Sequence, residues 1–284
     1  MSLDMSIEAV LKRASLVLSE SGSDSPSLDA AVLLCHALEK PRSYLLTWPE
    51  KELTPEQATQ LDALMARRTA GEPVAYILGE REFWSLPLNV APSTLIPRPD
   101  TERLVELALD KAMLIDGDLL DLGTGTGAIA LALASELPKR QLQGVDFQHE
   151  AVELAKSNAD KLNIGNVRFA QGSWFAPIDQ GHKFAIIVSN PPYIDENDPH
   201  LSQGDVRFEP SSALVAENNG LADIETITAA APSYLLDGGW LLFEHGFEQG
   251  DAVRRIMELH GFTEVTTEKD YANNDRVTLG KWHP

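Results

Sequence analysis

One cysteine, Cys35, stands among 284 residues. No disulfide can close within the chain, and a reducing compartment, the cytoplasm, is expected. Cationic side chains are also scarce: 23 Lys and Arg face 43 Asp and Glu, for a net charge of −20. Tight binding to long nucleic acid rests on Lys and Arg displacing counterions from phosphates. This balance, with no basic run in either part of the chain, speaks against a nucleic-acid partner. No apolar run approaches the roughly 18 residues of a membrane span. The N-terminus is amphipathic and acid-containing, and it lacks the layout of a signal peptide. The seven His form no ligand pattern, so no metal site is expected. Internal repeats and low-complexity segments are missing too. A cytoplasmic enzyme or regulator of about two domains remains.

Residues 1–75 read as helices. Ile7, Val10, Leu11, Ala14, Val17 and Leu18 recur at helical spacing, and a second helix starts near Ser27. Thr54, Pro55 and Gln57 spell a capping box for a third, which runs to Arg67-Arg68 with Gly71 closing it. Residues 76–99 change texture. The segment Phe83–Val90 predicts a short hairpin around Pro87, and Ile96-Pro97-Arg98-Pro99-Asp100 cannot be helix interior. This stretch is expected to join two domains, with Asp100 or Thr101 capping the helix that follows.

Residues 100–284 are expected to form the second domain, and from 118 onward short apolar strands alternate with helices. Strands are expected at 118–122, 141–146, 166–170, 184–189, 239–244, 262–268 and 276–282. Helices are expected near 127–136, 149–162, 221–236 and 248–260. Such alternation predicts a mostly parallel α/β sheet of seven strands covered on both faces, the last two strands forming an antiparallel pair.

Two motifs carry chemistry. Asp121-Leu122-Gly123-Thr124-Gly125-Thr126-Gly127 runs from a strand into a Gly-rich turn and then a helix. Glycine lets the backbone turn sharply there and lets a ligand approach closely. The turn lies at the carboxyl end of a parallel strand, where open α/β sheets bind ligands. Asp146 ends the next strand, placed to accept hydrogen bonds from ribose hydroxyls. The glycines alone also fit a dinucleotide fingerprint. Asp121 tilts the choice: a carboxylate suits the ammonium group of S-adenosylmethionine and repels a pyrophosphate.

The second motif is Asn190-Pro191-Pro192-Tyr193, after the buried strand Phe184–Ser189. Two prolines fix the backbone, remove two N–H donors and leave carbonyls free to accept. Asn190 adds a side-chain acceptor, and Tyr193 offers a flat face. Together they describe a site for a planar NH2 on an sp2 carbon, either a carboxamide or an exocyclic base amine.

With these motifs the chain resembles class I S-adenosylmethionine-dependent methyltransferases that act on nitrogen. More closely it resembles the protein-(glutamine-N5) methyltransferases of peptide chain release factors. The resemblance is carried by Arg67-Arg68, Gly71-Glu72-Pro73, Tyr76-Ile77, Gly79, Phe83, Ile96–Glu102, the glycine loop, the Asn190–Tyr193 motif and Arg207-Phe208-Glu209-Pro210. It implies a Rossmann-like catalytic domain and a small helical domain, joined by the hairpin, that helps recognise the release factor. The substrate it implies is the Gln of a Gly-Gly-Gln motif. Cofactor contacts are implied at Asp121, Gly123, Thr124, Gly125, Thr126, Gly127, Asp146, Trp174 and Asn190. Asn190, Pro191, Pro192 and Tyr193 are implied to bind the Gln amide, with Asn190, Pro191 and Tyr193 acting in the transfer. The alternatives are a methyltransferase for adenine N6 or guanine N2, which the net charge disfavours, and a nicotinamide-dependent oxidoreductase, which leaves Asn190–Tyr193 unexplained.

Overall fold

The computed structural model describes residues 4–284; residues 1–3, the start of the expected 1–75 segment, lie outside it. The chain divides into two compact units. One runs through Gly79 and also takes in Pro199–Phe208; the other comprises Glu80–Asp198 and Glu209–Pro284.

The first unit contains helices α1 (Ile7–Glu20), α2 (Pro26–Leu38), α3 (Arg42–Thr47), α4 (Pro55–Thr69) and α5 (Val74–Leu78). Both halves of the Thr54–Gln57 capping box form at the start of α4. Ile7, Leu33, Leu34, Leu61 and Leu64 share one core. Arg68, in the last turn of α4, is buried, and its guanidinium bridges Asp29 at 2.8 Å and Asp205 at 2.9 Å. Residues 76–78, read as linker, complete α5, whose end is set by left-handed Gly79. The short α3 and α5 had no periodicity long enough to announce them.

The second unit opens with the hairpin β1 (Glu80–Phe83) and β2 (Leu86–Asn89). Trp84 and Ser85 form its two-residue turn, both at positive φ, the twist that suits a tight hairpin. Then follow α6 (Glu102–Ala112), β3 (Asp118–Leu122), α7 (Ala128–Glu136), β4 (Leu142–Asp146), α8 (His149–Leu162), β5 (Val167–Gln171) and β6 (Phe184–Ser189). The chain ends with a helical turn α9 (Glu217–Gly220), α10 (Ala222–Ala230), β7 (Leu235–Glu244), α11 (Gly250–Leu259), β8 (Thr263–Lys269) and β9 (Asp275–Lys281).

These strands form one sheet of seven in the order β5-β4-β3-β6-β7-β9-β8. The first five strands of that order pair in parallel, and β9 runs antiparallel to both β7 and β8. Alternation along each strand builds a core on either face. Leu119, Ile186 and Leu242 face one layer; Leu120, Ile187 and Leu241 face the other. The helix expected over 221–236 stops early at Pro232, and β7 begins at Leu235. The register of β6 against β7 slips between Phe184 and Ile186, which pair with Leu235 and Trp240, and left-handed Gly238 lies within that irregular stretch. Among the described residues no helix is long and apolar enough to cross a membrane.

The chain runs outward from β3 through β4 to β5, then crosses back to place β6 on the other side of β3. That switch opens a crevice at the carboxyl ends of β3, β4 and β6.

Candidate active site

A cavity of about 300 Å³ fills this crevice, the size of a small-ligand site. Gly123–Thr126 line it from the turn after β3. Asp146 and Phe147 line it from the end of β4, Trp174 from the loop after β5, and Asn190 and Pro192 from the end of β6. The structure therefore brings both motifs into one space.

The glycine loop is held without side-chain bulk. Gly123, Gly125 and Gly127 all adopt positive φ. A Cβ on Gly127 would press within 3.2 Å of Ala155, Leu131 and Phe169. Gly144 on β4 is just as constrained. A Cβ there would meet the Phe169 ring at 2.5 Å and Thr124 Oγ1 at 2.9 Å. Asp146 closes the loop from the next strand: its Oδ2 accepts from Gly125 N–H at 2.8 Å and its Oδ1 from Gln148 N–H at 2.9 Å. Burial pushes its pKa above the usual carboxylate value, against these bonds, which lower it. Asn158 on α8, fully buried, donates to Thr126 O at 2.9 Å and exchanges hydrogen bonds with the Asn89 backbone, so it ties the loop to the hairpin.

Asp121 lies beneath the loop and is not among the cavity-lining residues. Its Oδ2 accepts from the Thr124 hydroxyl at 2.6 Å and from Ala130 N–H at 3.2 Å. Its Oδ1 is buried and has no partner. Burial pushes this carboxyl up to about 7, and the charge of Asp146 adds to the rise. Gly127 too stands behind the lining, as the left-handed residue that starts α7.

Pro191 and Tyr193, expected to touch substrate, do not line the cavity. The Tyr193 hydroxyl donates to Glu244 Oε1 at 3.3 Å. Burial, followed by the neighbouring Glu244 charge, raises its pKa. Thr101 makes no capping bond to α6. Its hydroxyl is diverted to the site, where it accepts from Asn190 Nδ2 at 3.4 Å.

The Pro-rich segment before α6 forms another wall, through Thr94, Leu95, Pro97 and Arg98. Glu209 anchors it. This fully buried carboxylate accepts from Ile96 N–H at 2.9 Å and pairs with Arg98. E209A is expected to lower stability by about 1–3 kcal/mol, because a buried donor loses its acceptor. Thermal melting checks this, and an unchanged midpoint would mean that the wall is held by other contacts.

Family models match both parts of the chain: a PrmC N-terminal domain over residues 9–79 and a methyltransferase domain over 116–249. The release factor glutamine methyltransferase of Vibrio cholerae is 70% identical over 280 residues, covering 99% of this chain and 98% of that protein. The chain belongs to the release factor glutamine methyltransferase family. The member of that family from Escherichia coli is 54% identical over 92% of this chain and 94% of its own. At the level of fold alone, a methyltransferase from Pyrococcus furiosus matches with TM-score 0.52 and 16% identity, over 78% of this chain and all of that one. The nicotinamide-dependent alternative is thereby set aside.

Several residues of this release factor glutamine methyltransferase site carry no sequence signal of their own. Phe147, 69% exposed at the cavity rim, has no motif. Thr101 was read as a helix cap. Asn158 and Glu244 are visible only as polar residues within apolar periodicity, which is a signal for a buried polar role.

Proposed function

We propose that the chain transfers a methyl group from S-adenosyl-L-methionine to the side-chain amide nitrogen of the Gln in the Gly-Gly-Gln motif of peptide chain release factors, in the cytoplasm. The observation that carries this reading is the single cavity lined by the glycine loop and Asp146 on one side and by Asn190 and Pro192 on the other.

The residues present fit that cofactor. Among the described residues, Arg98 is the only Lys or Arg lining the cavity, and Glu209 pairs it. Two carboxylates, Asp146 and Asp223, line it as well. That charge balance suits a ligand with hydroxyls and a cationic head, and it repels a pyrophosphate. The partnerless Oδ1 of Asp121 beneath the loop is a further acceptor held for a cationic group. In this reading Gly123–Gly127 cradle the cofactor, Asp146 accepts from its ribose, and Trp174 and Phe147 supply apolar faces.

When bound, the cofactor supplies a methyl on sulfonium sulfur, already strongly electrophilic. The protein's task is positioning, which can contribute roughly 7–11 kcal/mol. Asn190 Oδ1 and the Pro191 carbonyl accept the two N–H bonds of the substrate amide and aim its nitrogen. Both acceptors gain strength as positive charge develops there. The proton leaves the nitrogen after transfer, and no general base is assigned. One Gln side chain offers little contact area, whereas specific protein recognition buries roughly 1,200–2,000 Å² in total. The N-terminal helical unit supplies the remaining surface for the folded substrate.

The test is incubation of the full chain and cofactor with an intact release factor, followed by mass analysis. One added methyl on the Gly-Gly-Gln peptide is expected. Transfer to RNA or DNA but not to the release factor would overturn the reading. D146A is expected to weaken cofactor binding by about 1–3 kcal/mol, the cost of unpaired hydroxyls, or roughly 5- to 150-fold in Kd by calorimetry. An unchanged Kd would remove Asp146 from the cofactor site.

A further inference from the structure

Gln249 stands at the start of α11 and is not among the cavity-lining residues, yet its side-chain amide reaches the end of the Asn190–Tyr193 motif. Its Oε1 accepts from Gly246 N–H at 2.8 Å. Its Nε2 donates to two backbone carbonyls, Tyr193 O at 3.0 Å and Asn219 O at 3.0 Å. Its own backbone N–H donates back to Gly246 O at 2.9 Å. The two bonds to Gly246 close a small ring that fixes where the side chain points. The amide cannot turn over, because its oxygen faces a donor and its nitrogen faces two acceptors. The mechanism above uses none of these bonds.

The turn α9 is shaped to bring a carbonyl to the same place. Asn218, Asn219 and Gly220 take φ of 55°, 55° and 78°, a left-handed run that only surrounding contacts sustain. At Gly220 a Cβ would collide with the Tyr193 carbonyl and come within 2.8 Å of Gln249 Nε2, so backbone lies directly on backbone. One residue past the motif, Ile194 N–H donates to Leu214 O at 2.9 Å, and Ala216 N–H donates to Ile194 O at 3.0 Å. Ser212 and Ala213 before this stretch, and Asp223 after it, line the cavity. Gln249 thus fastens both the end of the motif and the segment that borders the site to the connection between β7 and α11.

We propose that Gln249 is a positioning residue for methyl transfer: it holds the Tyr193 carbonyl and, through it, the aim of the Pro191 carbonyl at the substrate amide. The proposal rests on the reading of the chain as an amide N-methyltransferase. At its other end the motif is anchored by β6, where Ser189 pairs with both β3 and β7 and its hydroxyl donates to Leu122 O at 2.7 Å. Between the two anchors Pro191 and Pro192 fix φ, so few torsions remain to be set. Release of the Tyr193 carbonyl frees them, and the Pro191 acceptor swings away from the line it must keep as charge develops on nitrogen. The bond from the Tyr193 hydroxyl to Glu244 is no substitute, because side-chain rotations separate that hydroxyl from the carbonyl. The property required at 249 is donation to two carbonyls. Glu, ionised, keeps the acceptor for Gly246 N–H but sets an oxygen against both carbonyls. Lys keeps donors and loses the acceptor. Met keeps the size and loses both.

The experiment compares steady-state kinetics on an intact release factor at about pH 8, where Glu is ionised, with cofactor Kd and melting temperature, for the full chain and three variants. Q249M and Q249E are each expected to lower kcat by roughly 10- to 100-fold, the scale of a misplaced reacting group. Cofactor Kd and the KM for release factor should stay within about 3-fold, as for an interaction that serves the transition state alone. Q249K, which keeps donors for the two carbonyls, should recover much of the kcat that Q249E loses. A residue that only stabilised the loop would lower the melting temperature and leave kcat of the folded protein intact. The proposal is overturned if Q249M and Q249E both keep kcat within about 3-fold, if Q249K does no better than Q249E, or if the loss appears in cofactor Kd with kcat intact. Should Q249M fail to fold, Q249K against Q249E decides alone. A parent chain that methylates no release factor defeats the underlying function, and the proposal with it; an active parent with indifferent variants defeats the proposal only.

Discussion

The N190A variant is expected to keep its fold while kcat falls by about 100- to 1,000-fold, the scale seen when one preorganised hydrogen-bonding group is removed from a site of developing charge. The side chain contributes little to stability. Among the described residues its one side-chain hydrogen bond is the 3.4 Å contact with Thr101, so melting should shift by less than about 1 kcal/mol equivalent. Its value lies in what it accepts. In the ground state the substrate amide nitrogen is nearly neutral, its lone pair shared with the carbonyl. As the new bond forms, positive charge grows on nitrogen and its N–H bonds become stronger donors. An acceptor at Asn190 is therefore worth more in the transition state than in the bound complex, the condition for lowering the barrier rather than KM. Measurement of kcat and KM on a release factor separates the two. A loss confined to KM would make Asn190 a simple binding group, and near-normal kcat would remove it from the reaction.

Much of this site was legible in the sequence because its chemistry is backbone chemistry. Three alternate glycines after an apolar strand, an Asp closing the next strand and two prolines after Asn190 each impose a local geometry. Parallel α/β topology then places all three at one sheet edge. The central strands of the sheet were legible for a related reason: β6 and the second half of β7 are buried parallel strands with nearly continuous apolar runs. What stayed hidden depends on tertiary placement. Thr101 has the residue type and position of a helix cap, and nothing local says that its hydroxyl will turn to Asn190, 89 residues away in sequence. Tyr193 was read as a flat face for substrate, yet burial against Glu244 takes its hydroxyl out of the cavity lining. Glu209 holds Ile96 across 113 residues of chain, a distance that no periodicity reports. Asp121 was read as a carboxylate for the ammonium group of the cofactor. Its depth, which makes it both a strained acid and an unfinished hydrogen-bonding group, could come only from the packed fold.

That depth gives Asp121 the second large effect, one on stability. The side chain is 1% exposed, and burial is the foremost cause that lifts its pKa from 3.8 to about 7; the bonds from Thr124 and Ala130 oppose the rise. The folded state thus prefers the neutral acid, while the unfolded chain ionises near 3.8. The sign follows from linkage. Relative to an ordinary carboxyl, stability is full below pH 3.8 and is lost as pH rises through about 7. The cumulative loss is on the order of 4 kcal/mol, of which roughly 2 kcal/mol develops between pH 5.5 and 8. D121N cannot ionise. Its amide oxygen can still accept from Thr124 and Ala130, and its NH2 takes the place of the partnerless Oδ1 at a cost that does not change with pH. The stability of D121N relative to the parent is therefore expected to improve by roughly 2 kcal/mol between pH 5.5 and 8, read from denaturant melts at several pH values without cofactor. At pH 8, where the parent carboxyl is mostly ionised, the same substitution should weaken S-adenosylmethionine binding, because a neutral amide no longer offers a negative partner to a cationic group. Such a trade of stability for function is common at sites that hold an unsatisfied polar group. A difference between D121N and the parent that is flat in pH would mean that Asp121 is ionised throughout the range, and tighter cofactor binding by D121N would mean that its carboxylate is no partner for the ligand.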